Sequence, residues 1–412
     1  TPIKSSAASD VYKRQEYGGA GSVRQGKAPR RKIFRGRCSM KVVVAVDSFK
    51  GSMSSMEAGM AARKGILAAC PDADVVVRPL ADGGEGTAEA LIEGLGGERI
   101  SLTVTGPLGA PVKTYYGYLK ESNTAIMEAA AAAGITLSHR NDPLRASTRG
   151  LGEMICHALR RGIRHFLIGI GGSATNDGGI GMLKSLGFRF PGKEGQDTGE
   201  GAQALAGIAS AILSDKMELL SQCSFKIACD VANPLCGPLG ATYVYGPQKG
   251  ITEDLLPVID AGMKNFAKVT AKTIGSDLSE VPGTGAAGGL GFAFLSYLGG
   301  ELVPGVQLVL DTVRLADELK DADYAVTGEG RLDRQTAMGK APIGVARLAK
   351  KYHVRTIAFA GSVSKEAAVC NQEGIDAFFP IVRGVATLQE AMDPQSAQSN
   401  MAAAAEQVFR LL

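Results

Sequence analysis

Short β-branched runs alternate with longer stretches of helical period along most of the chain, the pattern of an α/β protein with parallel strands. Residues 41–47 (KVVVAVD) are apolar at nearly every position, as a strand buried on both faces must be. The pattern predicts a helix over 54–69 and a strand over 74–80, with further buried strands at 166–170, 226–230, 322–327 and 356–360. The section 103–128 breaks this rhythm: 112–119 and 124–128 flank 120–123 as a hairpin, and a second domain is expected to begin there. The expected division is 40–105 with 292–412 as one α/β domain, and 106–291 as an inserted second one.

Four predicted strands run straight into polar, glycine-rich segments: DSFKGS (47–52), ADGGEGT (81–87), GGSATNDGG (171–179) and TGEGRLD (327–333). Ligands of open α/β sheets bind beyond the carboxyl ends of the strands, so the four loops are expected to share one cleft. In 171–179 small residues free backbone N–H groups to meet an anion, and Ser173, Thr175 and Asn176 add side-chain donors at the start of a helix. Asp177 adds negative charge there, which suits a metal holder or a proton acceptor better than an anion site. A turn capped by Ser, Thr and Asn is the plainer alternative. Asp82 reads as a Mg²⁺ ligand and Glu85 as an acid at a helix start, against a capping role for both. Lys50 and Arg149 stand out among the loop cations because both sit on glycine-rich segments.

Composition narrows the function. Glycine is high at 54 of 412 residues, tryptophan is absent and aromatics are 6%, which disfavours a base-stacking nucleic-acid binder. No apolar run approaches the roughly 18 residues that span a bilayer. The net charge of +4 belongs to residues 1–39, which hold ten Lys/Arg and two acids; the rest has 35 bases against 39 acids. That segment has neither a signal-peptide core nor a clear amphipathic period, and is read as a non-native or disordered leader. Seven cysteines without CxxC spacing argue against a disulfide scaffold or zinc site, and the four histidines lie outside the glycine-rich segments, which weakens a Ser/His/Asp hydrolase. No Gly-Lys is followed by Ser or Thr, so a Walker A loop is absent.

With CDVANPLCGP (229–238), YGPQKG (245–250), PGTGAAGGLG (282–291) and GKAP (339–342) added to the four loops, the chain from Met40 to about Pro394 resembles the bacterial glycerate kinases that lack a Walker A motif. The resemblance implies two α/β domains with mainly parallel sheets, Rossmann-like or flavodoxin-like, with the active site in the interdomain cleft. It also implies ATP-dependent phosphorylation of D-glycerate with Mg²⁺, most often to 2-phosphoglycerate. The expected catalytic residues are Lys50, Asp177 and Asp230, with Asp177 nearest the transferred group and Asp230 orienting the hydroxyl. Four acids compete for about two roles, so Asp82 and Asp333 stay in contention. Ser48, Gly83, Gly84, Gly172, Ser173, Thr175, Asn176, Asn233, Gly328 and Arg331 are expected to bind substrate or phosphate. Gly283, Gly285, Gly288 and Gly289 are expected at the nucleotide, and Asp82, Glu329 and Asp333 at the metal. A cytoplasmic enzyme without nucleic-acid or membrane partners is expected, with a homodimer left open. An NAD(P)-linked oxidoreductase of small hydroxy acids and a non-catalytic sugar-acid sensor are the competing readings.

Overall fold

The strands are β1 (Lys41–Val44), β2 (Asp74–Val77), β3 (Glu98–Thr105), β4 (Pro111–Leu119), β5 (Thr124–Glu128), β6 (His165–Gly169), β7 (Ser224–Ala228), β8 (Glu301–Val303), β9 (Tyr324–Leu332), β10 (Arg355–Val363) and β11 (Ala377–Pro380). They build two sheets in a computed structural model that describes residues 40–84, 86–137 and 142–412. The leader 1–39 and Glu85 lie outside the described residues. The first sheet runs β11-β10-β9-β1-β2 and is parallel throughout. The second runs β3-β4-β5-β6-β7-β8: β3 to β5 are antiparallel, and β5 to β8 are parallel.

The hairpin expected around 120–123 is present as β4 and β5, with Asn123 at φ 50° in its turn. Sheet membership changes earlier than the expected 105/106 boundary, because β3 already pairs with β4 along its whole length. It changes back later than 291/292, since β8 pairs with β7. The segment 327–333, expected as a loop, is mostly strand. β9 continues to Leu332 against β10, where Ser362 and Val363 face Arg331 and Leu332.

A helix at Ser55–Ala69 follows β1, capped by Ser54 and Glu57, which exchange hydrogen bonds in a capping box. It packs on one face of the first sheet beside the helix Pro394–Phe409, around Val42, Val44, Phe359 and Met401. Between the two sheets lies an apolar layer that takes Val43 and Leu80 from the first sheet side, Leu119 and Ile126 from β4 and β5, and Val309 and Leu315. The second sheet has its own core around Phe166, Phe225, Phe266 and Phe294. Among the described residues, no helix is long and apolar enough to cross a membrane.

Candidate active site

Two cavities open at the carboxyl ends of the two sheets. The larger, about 710 Å³, has Asp47, Ser48 and Lys50 from the loop after β1, Asp82 from the loop after β2, and Glu329, Arg331, Asp333 and Lys340 from β9 and beyond. Its facing wall is apolar, with Ile381, Val382, Leu388 and Met392. The smaller, about 420 Å³, is lined by Gly171, Gly172 and Ser173 after β6, Asp230 after β7, and Tyr245 and Lys249 farther on. One segment belongs to both. Asp82 lines the larger cavity, and its neighbours Gly83 and Gly84 line the smaller.

Local chemistry fixes that shared segment. Ser55 Oγ donates to Val46 O at 2.7 Å and accepts from Leu80 N at 2.8 Å, tying the exits of β1 and β2 to the helix start. Asp82 Oδ1 accepts from Gly84 N at 2.9 Å. Gly83 has φ 89°, and a Cβ there would stand 2.4 Å from Gly305 Cα, so only glycine fits. Gly305 N in turn donates to Asp230 Oδ1 at 2.8 Å, which sets the carboxylate at the rim of the smaller cavity.

The acids of the two cavities feel one another. Asp47 is pushed up to about 7, first by burial and then by the charges of Asp82 and Glu329, although Ser48 N donates to it at 2.6 Å. Burial, with Asp82 adding to it, also raises Asp230. Glu329 is raised by burial; Thr336 Oγ1 donates to it at 2.6 Å, and Lys340 Nζ is 3.7 Å away. The Asp47 carboxylate thus binds more protons in the folded state than in the unfolded one between about pH 4 and 7, so its contribution to stability falls as pH rises through that window. Asp47→Asn is therefore expected to stabilise the fold at pH 8 by on the order of 1–2 kcal/mol, once screening in the open cavity is allowed for. The gain should vanish near pH 4; urea denaturation at the two pH values checks it.

Several expected site residues line these cavities: Ser48, Lys50, Asp82, Glu329, Arg331 and Asp333 the larger, and Gly83, Gly84, Gly172, Ser173 and Asp230 the smaller. Lys50 makes no hydrogen bond or ion pair with any described residue. Asp333 is partly committed elsewhere, because its Oδ1 caps the helix Arg334–Ala337 through Gln335 N and Thr336 N.

Other expected site residues line neither cavity. Asp177 is fully buried, and its carboxylate accepts from Thr148 N (2.9 Å), Thr148 Oγ1 (2.8 Å), Gly179 N (3.1 Å) and Gly181 N (3.2 Å). Oδ2 takes three of these donors and Oδ1 the fourth, so Asp177 staples its loop to the start of the helix Arg149–Arg160 and lines neither cavity. Thr175 and Asn176 are buried within the same loop, and Asn176 Nδ2 donates to Thr242 Oγ1. Asn233 closes its own loop: its amide donates to Leu239 O and accepts from Tyr245 Oη. Gly328 lies inside β9, where a Cβ would come within 2.0 Å of Phe359 O. The glycine string serves close packing too. A Cβ at Gly285 would meet Pro234 O at 2.1 Å, one at Gly288 Thr175 O at 2.1 Å, one at Gly289 Gly178 Cα at 2.7 Å, and one at Gly283 Cys229 Sγ at 3.1 Å. Arg149 pairs with Glu200.

Sequence reasoning gave no role to Asp47 or Lys249. Asp47 ends the first strand's exit, a position that carried a signal. Lys249 is 3% exposed, a state seldom expected of lysine.

Among the described residues, no three His, Cys, Asp or Glu side chains converge as a metal-binding group. Mg²⁺ does not need such a cage, since it is commonly held by one or two carboxylates together with substrate phosphates and water. The hard oxygen donors of Asp47, Asp82 and Glu329 in one cavity fit an ion of that kind.

A glycerate kinase of Bacillus subtilis is 46% identical over 356 residues, 86% of this chain and 93% of that one. Glycerate 2-kinase of Escherichia coli is 43% identical over 85% of this chain and 93% of its own. A crystal structure assigned to glycerate kinase 2 of Salmonella typhimurium LT2 superposes with a TM-score of 0.82 at 42% identity, covering 90% of this chain and 97% of that one. Residues 42–412 match the glycerate kinase family as a whole, and the chain belongs to that family.

Proposed function

We propose that the two cavities divide the substrates of a glycerate kinase: the nucleotide in the larger, D-glycerate in the smaller, and the phosphoryl group passed across 82–84. The observation that carries this reading is the shared segment, whose Asp82 charge is felt by both Asp47 and Asp230. The apolar wall of the larger cavity suits a purine ring, and Lys50, Arg331 and Lys340 face the space left for phosphates. Mg²⁺ held by Asp82 with Asp47 or Glu329 would supply charge neutralisation at the phosphates. Phosphoryl transfer needs little covalent help from protein, mainly positioning and charge. Asp230 is the carboxylate placed to orient the glycerate hydroxyl and take its proton, and its raised pKa favours that exchange. The natural domain division is then 98–303 against the remainder of the described residues.

Product analysis tests the reading. Phosphorus NMR after incubation with Mg-ATP and D-glycerate should show 2-phosphoglycerate. Exclusive 3-phosphoglycerate would overturn the regiochemistry, and no ATP consumption would overturn the function. Lys50→Ala is expected to lower kcat/KM for ATP at least about tenfold with the fold intact, the scale of one lost charge-assisted contact. Steady-state kinetics with varied ATP checks it.

A further inference from the structure

We infer that Lys249 recognises the carboxylate of the acceptor in the smaller cavity, together with Ser173, whose hydroxyl it orients. The inference rests on placing glycerate in that cavity. Lys249 ends the short turn Pro247–Lys249 and is almost wholly buried, yet it lines the cavity. Its Nζ donates to Thr175 O at 2.6 Å and to Ser173 Oγ at 3.1 Å. An ammonium has three donors, so one N–H remains for the cavity. Because Ser173 Oγ accepts from Lys249, its own proton is left for another acceptor. The backbone N–H groups of Gly171, Gly172 and Ser173 are likewise without partners among the described residues.

This wall offers donors almost alone. A carboxylate only accepts and matches it, whereas a neutral polyol such as glycerol needs acceptors for its own hydroxyl protons. A buried ammonium is also costly unless an opposite charge compensates it. The Asp177 charge attracts it through space but forms no ion pair with it, the carboxylate being held by Thr148, Gly179 and Gly181. An anion in the cavity would add a counter-charge in direct contact. Burial holds Lys249 down to about 8 against the opposing pull of Asp177. Of the other titratable groups at the cavity, Tyr245 and Cys229 are raised by burial above their ordinary 10 and 9, and Asp230, though raised, is a carboxylate. Lys249 is thus the group there that loses its charge just above neutrality.

The test compares K249M, K249R and S173A by steady-state kinetics with D-glycerate and ATP varied in turn, and by calorimetric binding of D-glycerate alone. K249M should raise KM for glycerate at least about thirtyfold and weaken calorimetric binding in parallel, with KM for ATP within twofold. S173A should give a smaller rise of about fivefold. In the wild type, kcat/KM for glycerate should fall above about pH 8, and K249R should move that fall upward by more than one pH unit, because a guanidinium keeps its charge. A folded K249M with unchanged glycerate KM overturns the inference alone, provided Asp230→Asn still lowers kcat. A rise in KM for ATP with glycerate unaffected overturns the cavity assignment beneath it. Should near-UV circular dichroism show K249M unfolded, the K249R profile decides: an alkaline fall that stays in place overturns the inference.

Discussion

Asp230→Asn is expected to lower kcat by about 10²- to 10³-fold, the usual contribution of a positioned base, while the melting temperature stays within about 2 °C. The Asp230 side chain is exposed at the cavity rim and receives one structural hydrogen bond, from Gly305 N. An amide oxygen can accept that bond as well, so the fold keeps its contact. What is lost is the basic oxygen beside the acceptor hydroxyl. Asparagine also removes the repulsion from Asp82, which works against any loss of stability. The loss should appear in kcat with D-glycerate saturating, and KM for ATP should change little. Turnover near that of the wild type would remove Asp230 from the chemistry.

Asp177→Ala should behave in the opposite way. It strands four donors in a fully buried place, the two from Thr148 and the amides of Gly179 and Gly181, and takes away the acid whose charge acts on Lys249. Breaking such a buried network costs about 3–5 kcal/mol of stability. Denaturant unfolding should show this loss, and the protein that remains folded should keep most of its kcat. A stable variant with turnover abolished would restore Asp177 to the reacting centre.

These two aspartates show where sequence stops being informative. Both follow a buried strand and precede small or amide residues, so spacing cannot separate them; only burial and partner count do. The parallel strands were legible because runs such as 42–44 and 166–168 are apolar on both faces. β3 was not, because ERISLTVT is largely exposed and charged at its start, and β8 has three residues. The reach of β9 through Gly328 and Gly330 was hidden for another reason. Glycine signals a turn in most contexts, but at Gly328 it permits close strand approach. The same ambiguity holds at 283–289, where Gly288 and Gly289 pack against the 171–179 loop and Gly283 and Gly285 against Cys229 and Pro234. The strand-end loops carried the family and six of the nine charged residues that line the two cavities. Lys249 stayed silent because lysine is ordinarily a surface residue.

The division of substrates between the two cavities is tested most directly by a crystal structure with D-glycerate and a non-hydrolysable ATP analogue bound together. The purine is expected against Ile381 and Leu388, the glycerate carboxylate at Ser173 and Lys249, and the terminal phosphate between Asp82 and Asp230. Nucleotide density at Lys249, with glycerate beside Glu329, would contradict it.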